Sequence, residues 1–435
     1  MATDVTAPTT ELTPEPTDLA QRPSRRGVRR PRPVMLEAPR GRSYVKFVLV
    51  LGALIAIGPL TIDTYLPAMP SIADELGATE SQVQGTLTGI LLGLGLGQLL
   101  VGPLADAVGR RKPLIAGLVL HIVASVACAL APTVELLTAA RVVQGLGNAA
   151  VSVVAMATVR DLFTGSAAAT LLSRLMLVMG IAPIVAPTIG GAVLAHTSWR
   201  GVFGLVSLAG VVLVTVASLL LRETLPPERR RRLEPLPVLR TYASLLRDRT
   251  FVGLVLISGL MFATLFSYIG GSSFVLQEIY GLSVAQFGLA FGLNSLGFLT
   301  GSQLNPLLLR RLGPRDIVRA GVGIGAVSAL VLLAAAVTGV GGLPLVLGPL
   351  WFLLFACGLT LPNTPALALT RHGEAAGTAA ALLGASQFVI GGAAAPVIGA
   401  LGSGSAVPMA LVMATTATGA AAVAALTLRG SVGEA

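Results

Sequence analysis

Residues 102–117 read GPLADAVGRRKPLIAG, a charged stretch between two long apolar segments. Gly102 would let neighbouring helices approach closely, and Gly109 allows a tight turn without a Cβ clash. Asp106 can accept hydrogen bonds from a cation or from a helix N-terminus. The basic run that starts at Arg110 favours the cytoplasmic face of a membrane. The stretch therefore predicts a cytoplasmic loop between two spanning helices.

The composition around this loop is that of a membrane protein. The chain has 435 residues, of which 54% are hydrophobic and 11% charged, against about 25% charged in an ordinary soluble domain. Its uncharged stretches are near the roughly 20 residues that cross a bilayer as a helix. We therefore predict an all-α membrane protein with twelve transmembrane helices. The predicted spans are 45–67, 81–104, 113–131, 134–158, 167–195, 201–221, 250–274, 283–307, 316–339, 343–368, 375–400 and 406–428.

Charge and motif content exclude several other classes. The net charge is +10, but the charged residues lie between the predicted spans, and this placement argues against nucleic-acid binding. No phosphate-binding G-x-x-x-x-G-K-[ST] loop occurs in the sequence. An enzyme within the membrane would need a cluster such as paired His and Asp, and the predicted spans contain none. Cys128 and Cys357 lie in apolar spans, and the three histidines have no metal-ligand spacing. We expect no metal, no cofactor, and an ion gradient or a separate ATPase subunit as the energy source.

The distribution of charge predicts the topology. Arginines concentrate before the first span and in alternate loops, whereas the opposite loops are acidic apart from Arg200. The positive-inside rule then places both termini in the cytoplasm. Residues 306–313 weakly repeat the pattern of residues 102–111, and a long loop divides the chain near its middle. Both features indicate two six-helix halves. The predicted domains are a disordered basic tail (1–44), the first half (45–221), a cytoplasmic linker (222–249), the second half (250–428) and a short tail (429–435).

The stretch at 102–117 resembles the signature loop of the major facilitator superfamily, G-x-L-A-D-x-x-G-R-R/K. Residues 136–150 (LLTAARVVQGLGNAA) are similar to its fourth-span motif, R-x-x-Q-G. Residues 180–191 (GIAPIVAPTIGG) are similar to the fifth-span motif of drug exporters, G-x-x-x-G-P-x-x-G-G, with Ala186 at a glycine position.

Three further stretches resemble one branch of this superfamily, the Bcr/CflA drug/proton antiporters. They are residues 62–76, 199–203 and 273–283. The resemblance covers about 45–425 and implies the major facilitator fold with alternating access. It implies a conformational latch at Gly102, Asp106, Gly109, Arg110 and Arg111. We add Arg160 and Asp161 to this latch because they end the fourth span on the cytoplasmic side, at the level of Asp106. The resemblance also implies an antiporter motif at Gly180, Pro183, Pro187, Gly190 and Gly191. We expect Arg160 and Asp161 to join Asp106 in one ionic cluster.

Two ionisable residues are predicted within the membrane, where each is a functional candidate because it is costly to bury. Helix rise puts Asp63 near the outer end of the first span and Arg141 about 10 Å below the outer surface, so the two could approach one another. In the resembled branch both positions are implicated in proton coupling, with Asp63 as the proton-binding group. The alternative is that Asp63 caps the helix end beside Tyr65.

Polar and aromatic residues of other spans could line an apolar cavity with scattered polar contacts; the alternative is that they face lipid or bond across helices. The candidate cavity residues are Tyr65, Gln144, Asn148, Phe262, Phe266, Tyr268, Asn294 and Gln387. Some drug antiporters carry a second acidic residue in the first span, but residues 52–60 are uncharged here. We therefore hypothesise one proton per cycle and poor export of dications.

We predict a secondary transporter of the plasma membrane that exports small amphipathic, drug-like compounds in exchange for protons, acting as a monomer in the lipid bilayer. The alternative within transporters is a facilitator or importer of a small metabolite. A channel or membrane receptor is the competing class, but a channel would have a sustained polar face along several spans, which the sequence does not show.

Overall fold

The computed structural model describes residues 41–230, 235–370, 372, 375–402 and 404–428. Every regular element within these ranges is a helix. The predicted tail at 429–435 lies outside the described residues, and so does the tail at 1–44 except for its last four positions.

Twelve long helices of 19 to 30 residues and two shorter ones follow one another along the described chain. Helices of about 20 residues are as long as the hydrocarbon layer of a membrane is thick. In chain order they are α1 (Arg42–Asp63), α2 (Met69–Leu76), α3 (Glu80–Val108), α4 (Arg111–Ala129), α5 (Val134–Leu162), α6 (Gly165–Leu194), α7 (Trp199–Leu220), α8 (Pro235–Leu245), α9 (Arg249–Phe274), α10 (Val284–Leu308), α11 (Pro314–Thr338), α12 (Gly342–Thr370), α13 (Ala376–Ala400) and α14 (Val407–Thr427).

Eleven helices in the described part of the chain are long and apolar enough to span a membrane. The remaining long helix is α10, which has 25 residues but carries the polar side chains of Gln286, Asn294, Gln303 and Asn305. With α10 as the twelfth, six long helices precede the linker and six follow it, as the sequence predicts.

The end of the first predicted span differs from expectation. The sequence predicts helix through residue 67, but α1 ends at Asp63, and a short 3-10 turn at Leu66–Ala68 leads into α2. Pro67 and Pro70 lack the backbone N–H that a continuing helix needs, so the chain can change direction here. Asp63 is therefore the last residue of α1, directly before a bend.

The second long helix of each half, α3 in the first and α10 in the second, begins with a capping box. At the start of α3, the Thr79 hydroxyl accepts the backbone N–H of Gln82 at 3.3 Å, and the Gln82 side chain accepts the Thr79 N–H at 2.8 Å. Ser283 and Gln286 make the same reciprocal pair at the start of α10, at 3.3 Å and 2.9 Å. Matching capping boxes at matching positions agree with an internal repeat.

The halves meet along two helix pairs, α3 with α13 and α6 with α10. We call the end of the bundle that carries the 102–117 loop the basic end, and the other the opposite end. On the opposite-end side, the Thr88 hydroxyl donates to the Gly392 carbonyl at 2.5 Å and the Ser81 hydroxyl donates to the Pro396 carbonyl at 3.2 Å.

The bend after α1 also joins the halves. The Ser273 hydroxyl of α9 donates to the Leu66 carbonyl at 2.6 Å, and the Gln277 side chain donates to the Pro67 carbonyl at 3.5 Å. Between described residues, every hydrogen bond that connects the two halves lies on the opposite-end side. The halves are therefore fastened together at the opposite end.

Candidate functional site

An ionic cluster at the basic end is built around Arg110, the residue before α4. Its guanidinium donates to Asp106 at 2.5 Å and to Asp161 at 2.8 Å, and its side chain is 11% exposed. Burial opposes the charge of Arg110, but the hydrogen bonds to Asp161 and Asp106 outweigh burial and raise its pKa. The cluster joins the end of α3 to the end of α5.

Glu223, which sequence reasoning missed, completes this cluster from the linker after α7. Its carboxylate accepts the backbone N–H groups of Arg110 at 2.8 Å, Arg111 at 3.2 Å and Leu225 at 2.9 Å. Gly109 has φ +98°, and a Cβ there would collide with the Glu223 carboxylate. We call Asp106, Arg110, Asp161 and Glu223 the loop cluster. The only signal for Glu223 in the sequence is an acidic residue at the end of the sixth span.

Two expectations about this region are wrong. Arg160 is exposed and makes no ion pair with a described residue, because the helix turns its side chain away from its neighbour Asp161. Gly102 does not mark a close helix contact, since a Cβ there would meet no atom within 4 Å. The close approach lies deeper, where Gly93 of α3 and Gly145 of α5 each face backbone atoms of the other helix.

Arg141 of α5 lies at the centre of a buried network in the first half. Its Nη1 donates to the Thr61 carbonyl of α1 at 3.1 Å and to the Gln144 side chain at 2.9 Å. Gln144 in turn donates to the Ser125 hydroxyl of α4 at 2.8 Å. The guanidinium lies over the Tyr65 ring at 4.7 Å, in cation–π geometry. Arg141 therefore ties together α1, α4 and α5.

Asp63 is 3% exposed, and its carboxyl makes no hydrogen bond to the described residues of that network. The sequence allows an approach between Asp63 and Arg141, but the structure contains no ion pair between them. Arg141 instead binds the carbonyl of Thr61, two positions earlier on α1. Three residues further on, the Leu66 carbonyl accepts a hydrogen bond from Ser273 of the second half. The carboxyl is thus buried shortly before a point where the chain contacts the second half, and no described cation pairs with it.

The candidate cavity residues fall into separate groups. Tyr65 and Gln144 belong to the Arg141 network, and the Tyr65 hydroxyl lies 2.7 Å from the Thr86 hydroxyl. Asn148, also on α5, is buried with no protein partner for its amide. The first-half candidates are therefore packed within their own half.

The second-half candidates form an aromatic group and a polar group. The Phe262 and Phe266 rings are 4.8 Å apart, and Phe388 packs edge-on to Phe262 at 5.3 Å. Gln387, next to Phe388, donates to Ser258 of α9. The polar group is Tyr268 of α9 and Asn294 of α10, which are both completely buried.

The predicted antiporter motif lies along α6, with Pro183 and Pro187 inside the helix. Its glycines face the closest neighbours of α6. A Cβ at Gly190 would collide with the backbone of Thr64, while Gly180 and Gly191 face side chains of α10 in the second half. The motif therefore provides small surfaces at the contact between the halves, and its role in transport stays a prediction.

Two bundles of six helices that meet around buried polar side chains can expose a central site to one membrane face and then to the other. Such a bundle is a multi-pass membrane transporter and not an enzyme. Residues 49–396 match the Major Facilitator Superfamily, and the chain belongs to this superfamily.

Relatives and solved structures agree with this placement. The chain is 38% identical to an uncharacterized MFS-type transporter, YdgK, of Bacillus subtilis (strain 168), over 88% of this chain and 95% of the relative. It is 30% identical to a bicyclomycin resistance protein homolog of Haemophilus influenzae (strain ATCC 51907 / DSM 11121 / KW20 / Rd), over 86% of this chain and 93% of the relative. The fold matches the partially occluded inward open xylose transporter XylE of E. coli with a TM-score of 0.70 and 15% identity, over 90% of this chain and 99% of that one.

Proposed function

We propose that this protein exports small amphipathic compounds, antibiotics among them, in exchange for protons. The observation that carries the proposal is Asp63, a carboxyl that is only 3% exposed inside a transporter and has no described cation paired to it. Burying a charged carboxylate without a partner is strongly unfavourable, so a group in this position exchanges protons when its surroundings change.

The drug-like class of substrate is supported by the relative named for bicyclomycin resistance and by the aromatic group around Phe262 and Phe388, which offers apolar contacts. The orientation follows from charge. Arg110, Arg111 and Lys112 lie at the basic end, which the positive-inside rule assigns to the cytoplasm of a plasma-membrane protein. On this proposal the proton gradient supplies the energy, and the opposite end faces outward.

The test is drug-triggered proton release in inverted membrane vesicles, with a panel of antibiotics. Wild type is compared with Asp63→Asn and with Asp74→Asn, which neutralises an exposed carboxyl on α2. We expect at least one compound to collapse the pH gradient with wild type and with Asp74→Asn, but not with Asp63→Asn. Equal movement of that compound by wild type and Asp63→Asn would overturn the coupling assignment and favour a facilitator.

A further inference from the structure

The short helix α8 lies in the linker at the basic end of the bundle. It spans Pro235–Leu245, and after three intervening residues α9 begins at Arg249, long and apolar enough to cross a membrane. The helical turn continues past the end of α8, because the Leu246 N–H donates to the Tyr242 carbonyl at 3.0 Å. A helix joined so closely to a spanning helix lies near the surface of the membrane.

One face of α8 packs against the helices of the second half. Leu245 is 2% exposed and belongs to the same buried cluster as Phe251 and Leu254 of α9. Tyr242, three positions before Leu245, is half-buried, and α8 also contacts α13. These contacts fix how α8 is turned about its axis, so its other face points away from the bundle.

The face that points away carries an apolar stripe. Leu239 is 59% exposed and Leu246 is 55% exposed, and the exposed Ala243 lies between them. Spacings of four and three residues place side chains on one side of a helix. Exposed leucines in such a stripe, close to a membrane surface, are typical of a helix that lies in the interface with its apolar side chains in the hydrocarbon.

A basic stripe runs beside the apolar one. Arg240, Ser244 and Arg247 each follow one member of the apolar stripe in the sequence, and all three are exposed. Arg240 and Arg247 make no ion pair with a described residue, and the range Pro235–Leu245 contains no acidic residue. The exposed face of α8 thus combines positive charge with apolar surface.

The carboxylate that follows Arg247 in the chain is committed elsewhere. One oxygen of Asp248 accepts the Thr250 N–H at 2.8 Å and so caps α9. The other oxygen lies 3.0 Å from the Nε2 atom of His372, which follows α12. Asp248 therefore does not supply a counter-charge for the two arginines of α8.

We propose that the exposed face of α8 binds anionic phospholipids of the membrane leaflet at the basic end. Leu239 and Leu246 contact the acyl chains, while Arg240 and Arg247 contact the negatively charged headgroups at the surface of the bilayer. A soluble phosphate would leave both leucines in water, so the apolar stripe favours a lipid as the source of the negative charge. The surface requires neither a drug nor a proton gradient.

The test places a fluorescent probe on this face of the full-length protein. Ala243→Cys is labelled with a nitrobenzoxadiazole dye, which is selective because the native cysteines, Cys128 and Cys357, are buried. The detergent-solubilised, labelled protein is titrated with phosphatidylglycerol that carries a doxyl quencher close to its headgroup. Phosphatidylcholine with the same quencher is the zwitterionic comparison. Quenching reports lipid at α8 itself, and the half-quenching concentration measures its affinity.

We expect half-quenching at a lower concentration of phosphatidylglycerol than of phosphatidylcholine. Each arginine near an anionic lipid surface strengthens binding by about fivefold, so Arg240→Gln and Arg247→Gln should each raise the value for phosphatidylglycerol by about that factor. Replacing both arginines by lysine keeps the charge and should leave the value within about twofold of wild type. Arg160→Gln, which removes an exposed cation from α5, is the matched control and should change nothing.

The apolar stripe has a separate signature. Leu239→Gln should weaken quenching by both lipids to the same degree, because contact with acyl chains does not depend on the charge of the headgroup. Equal quenching of wild type by the two lipids, or no effect of the arginine substitutions, would overturn the inference. Quenching by neither lipid would place α8 away from the bilayer and overturn it too. Relief of quenching by inorganic phosphate would make the site one for a soluble anion.

Discussion

The Glu223 carboxylate lies 2.8 Å from the backbone nitrogen of Arg110, so an acidic side chain from the linker caps the helix that begins at Arg111. The same carboxylate accepts the next N–H along the chain, at Arg111. The N–H of the cap residue Arg110 and the first N–H of α4, at Arg111, are thus satisfied by a residue more than a hundred positions away. The linker after the first half is bound to the loop at 102–117.

Removing this cap should destabilise the protein at neutral pH. Glu223→Ala is expected to cost about 1 kcal/mol, as for other helix caps, whereas Glu228→Ala should cost nothing measurable because Glu228 is exposed on the same linker. Thermal unfolding of the purified protein measures both. Equal melting temperatures for wild type and Glu223→Ala would contradict the cap.

The effect of Glu223 should also depend on pH. Burial raises the pKa of this carboxyl, but hydrogen bonds from Leu225, Arg110 and Arg111 and the charge of Arg230 outweigh burial and lower it. A lowered folded-state pKa means that the stabilisation is complete above the unfolded value of about 4.3 and is lost as pH falls through the folded value. The difference in melting temperature between wild type and Glu223→Ala should be constant from pH 6 to pH 8 and shrink below about pH 4.

The loop cluster should affect turnover more than substrate binding. Neutralising Asp161, whose side chain is 17% exposed, should slow transport about tenfold. Asp106→Asn should have a smaller effect, because the Asp106 side chain is 45% exposed. Arg160→Ala serves as the control and should transport at the wild-type rate. Initial transport rates and drug Kd separate the two quantities, and a loss of binding in Asp161→Asn would argue against a latch.

Close packing between α3 and α5 should make Gly93 indispensable and two other glycines of α3 replaceable. A Cβ at Gly93 would collide with the Val142 carbonyl, so Gly93→Ala should destabilise the protein by about 1–3 kcal/mol. Gly85 and Gly102 on the same helix have open space. Their replacement by alanine should leave the melting temperature unchanged or slightly higher. A large loss of stability in Gly102→Ala would contradict the open space around Gly102 and would support the close helix contact that the sequence predicts.

Arg141 should be irreplaceable by lysine. A lysine ammonium has no flat guanidinium to lie over the Tyr65 ring while it donates to the Thr61 carbonyl and Gln144, the two bonds that Arg141 makes through Nη1. Arg141→Lys should therefore lower the free energy of unfolding by about 1–3 kcal/mol. Arg240→Lys, on the exposed face of α8, is the control. A melting temperature equal to wild type in Arg141→Lys would show that the network is not structural.

Much of this arrangement follows from local sequence. Apolar length predicts the spans, and the charged stretch at 102–117 places Asp106 and Arg110 at one end of the bundle. Gly109 adopts the positive φ that only a glycine adopts readily. The bend after Asp63 was missed because an apolar run with Pro67 looks the same whether the helix continues or turns.

Contacts between distant segments could not be predicted in the same way. Glu223 reaches the loop cluster only because α7 returns to the basic end beside α4, which depends on helix packing. Helix rise gave Asp63 and Arg141 similar depths but not their directions around the helix axis. Arg141 bonds to the Thr61 carbonyl and makes no ion pair with Asp63, so depth alone suggested a pair that the structure does not contain.

The central claim is that Asp63 releases its proton when a drug binds. The most direct measurement is proton release into weakly buffered detergent solution when a transported compound is added to purified protein, with no membrane and no gradient present. We predict release of about one proton per protein for wild type, since one carboxyl exchanges it, and none for Asp63→Asn. Equal release by Asp63→Asn, or no release by wild type with a compound that it demonstrably binds, would contradict the account.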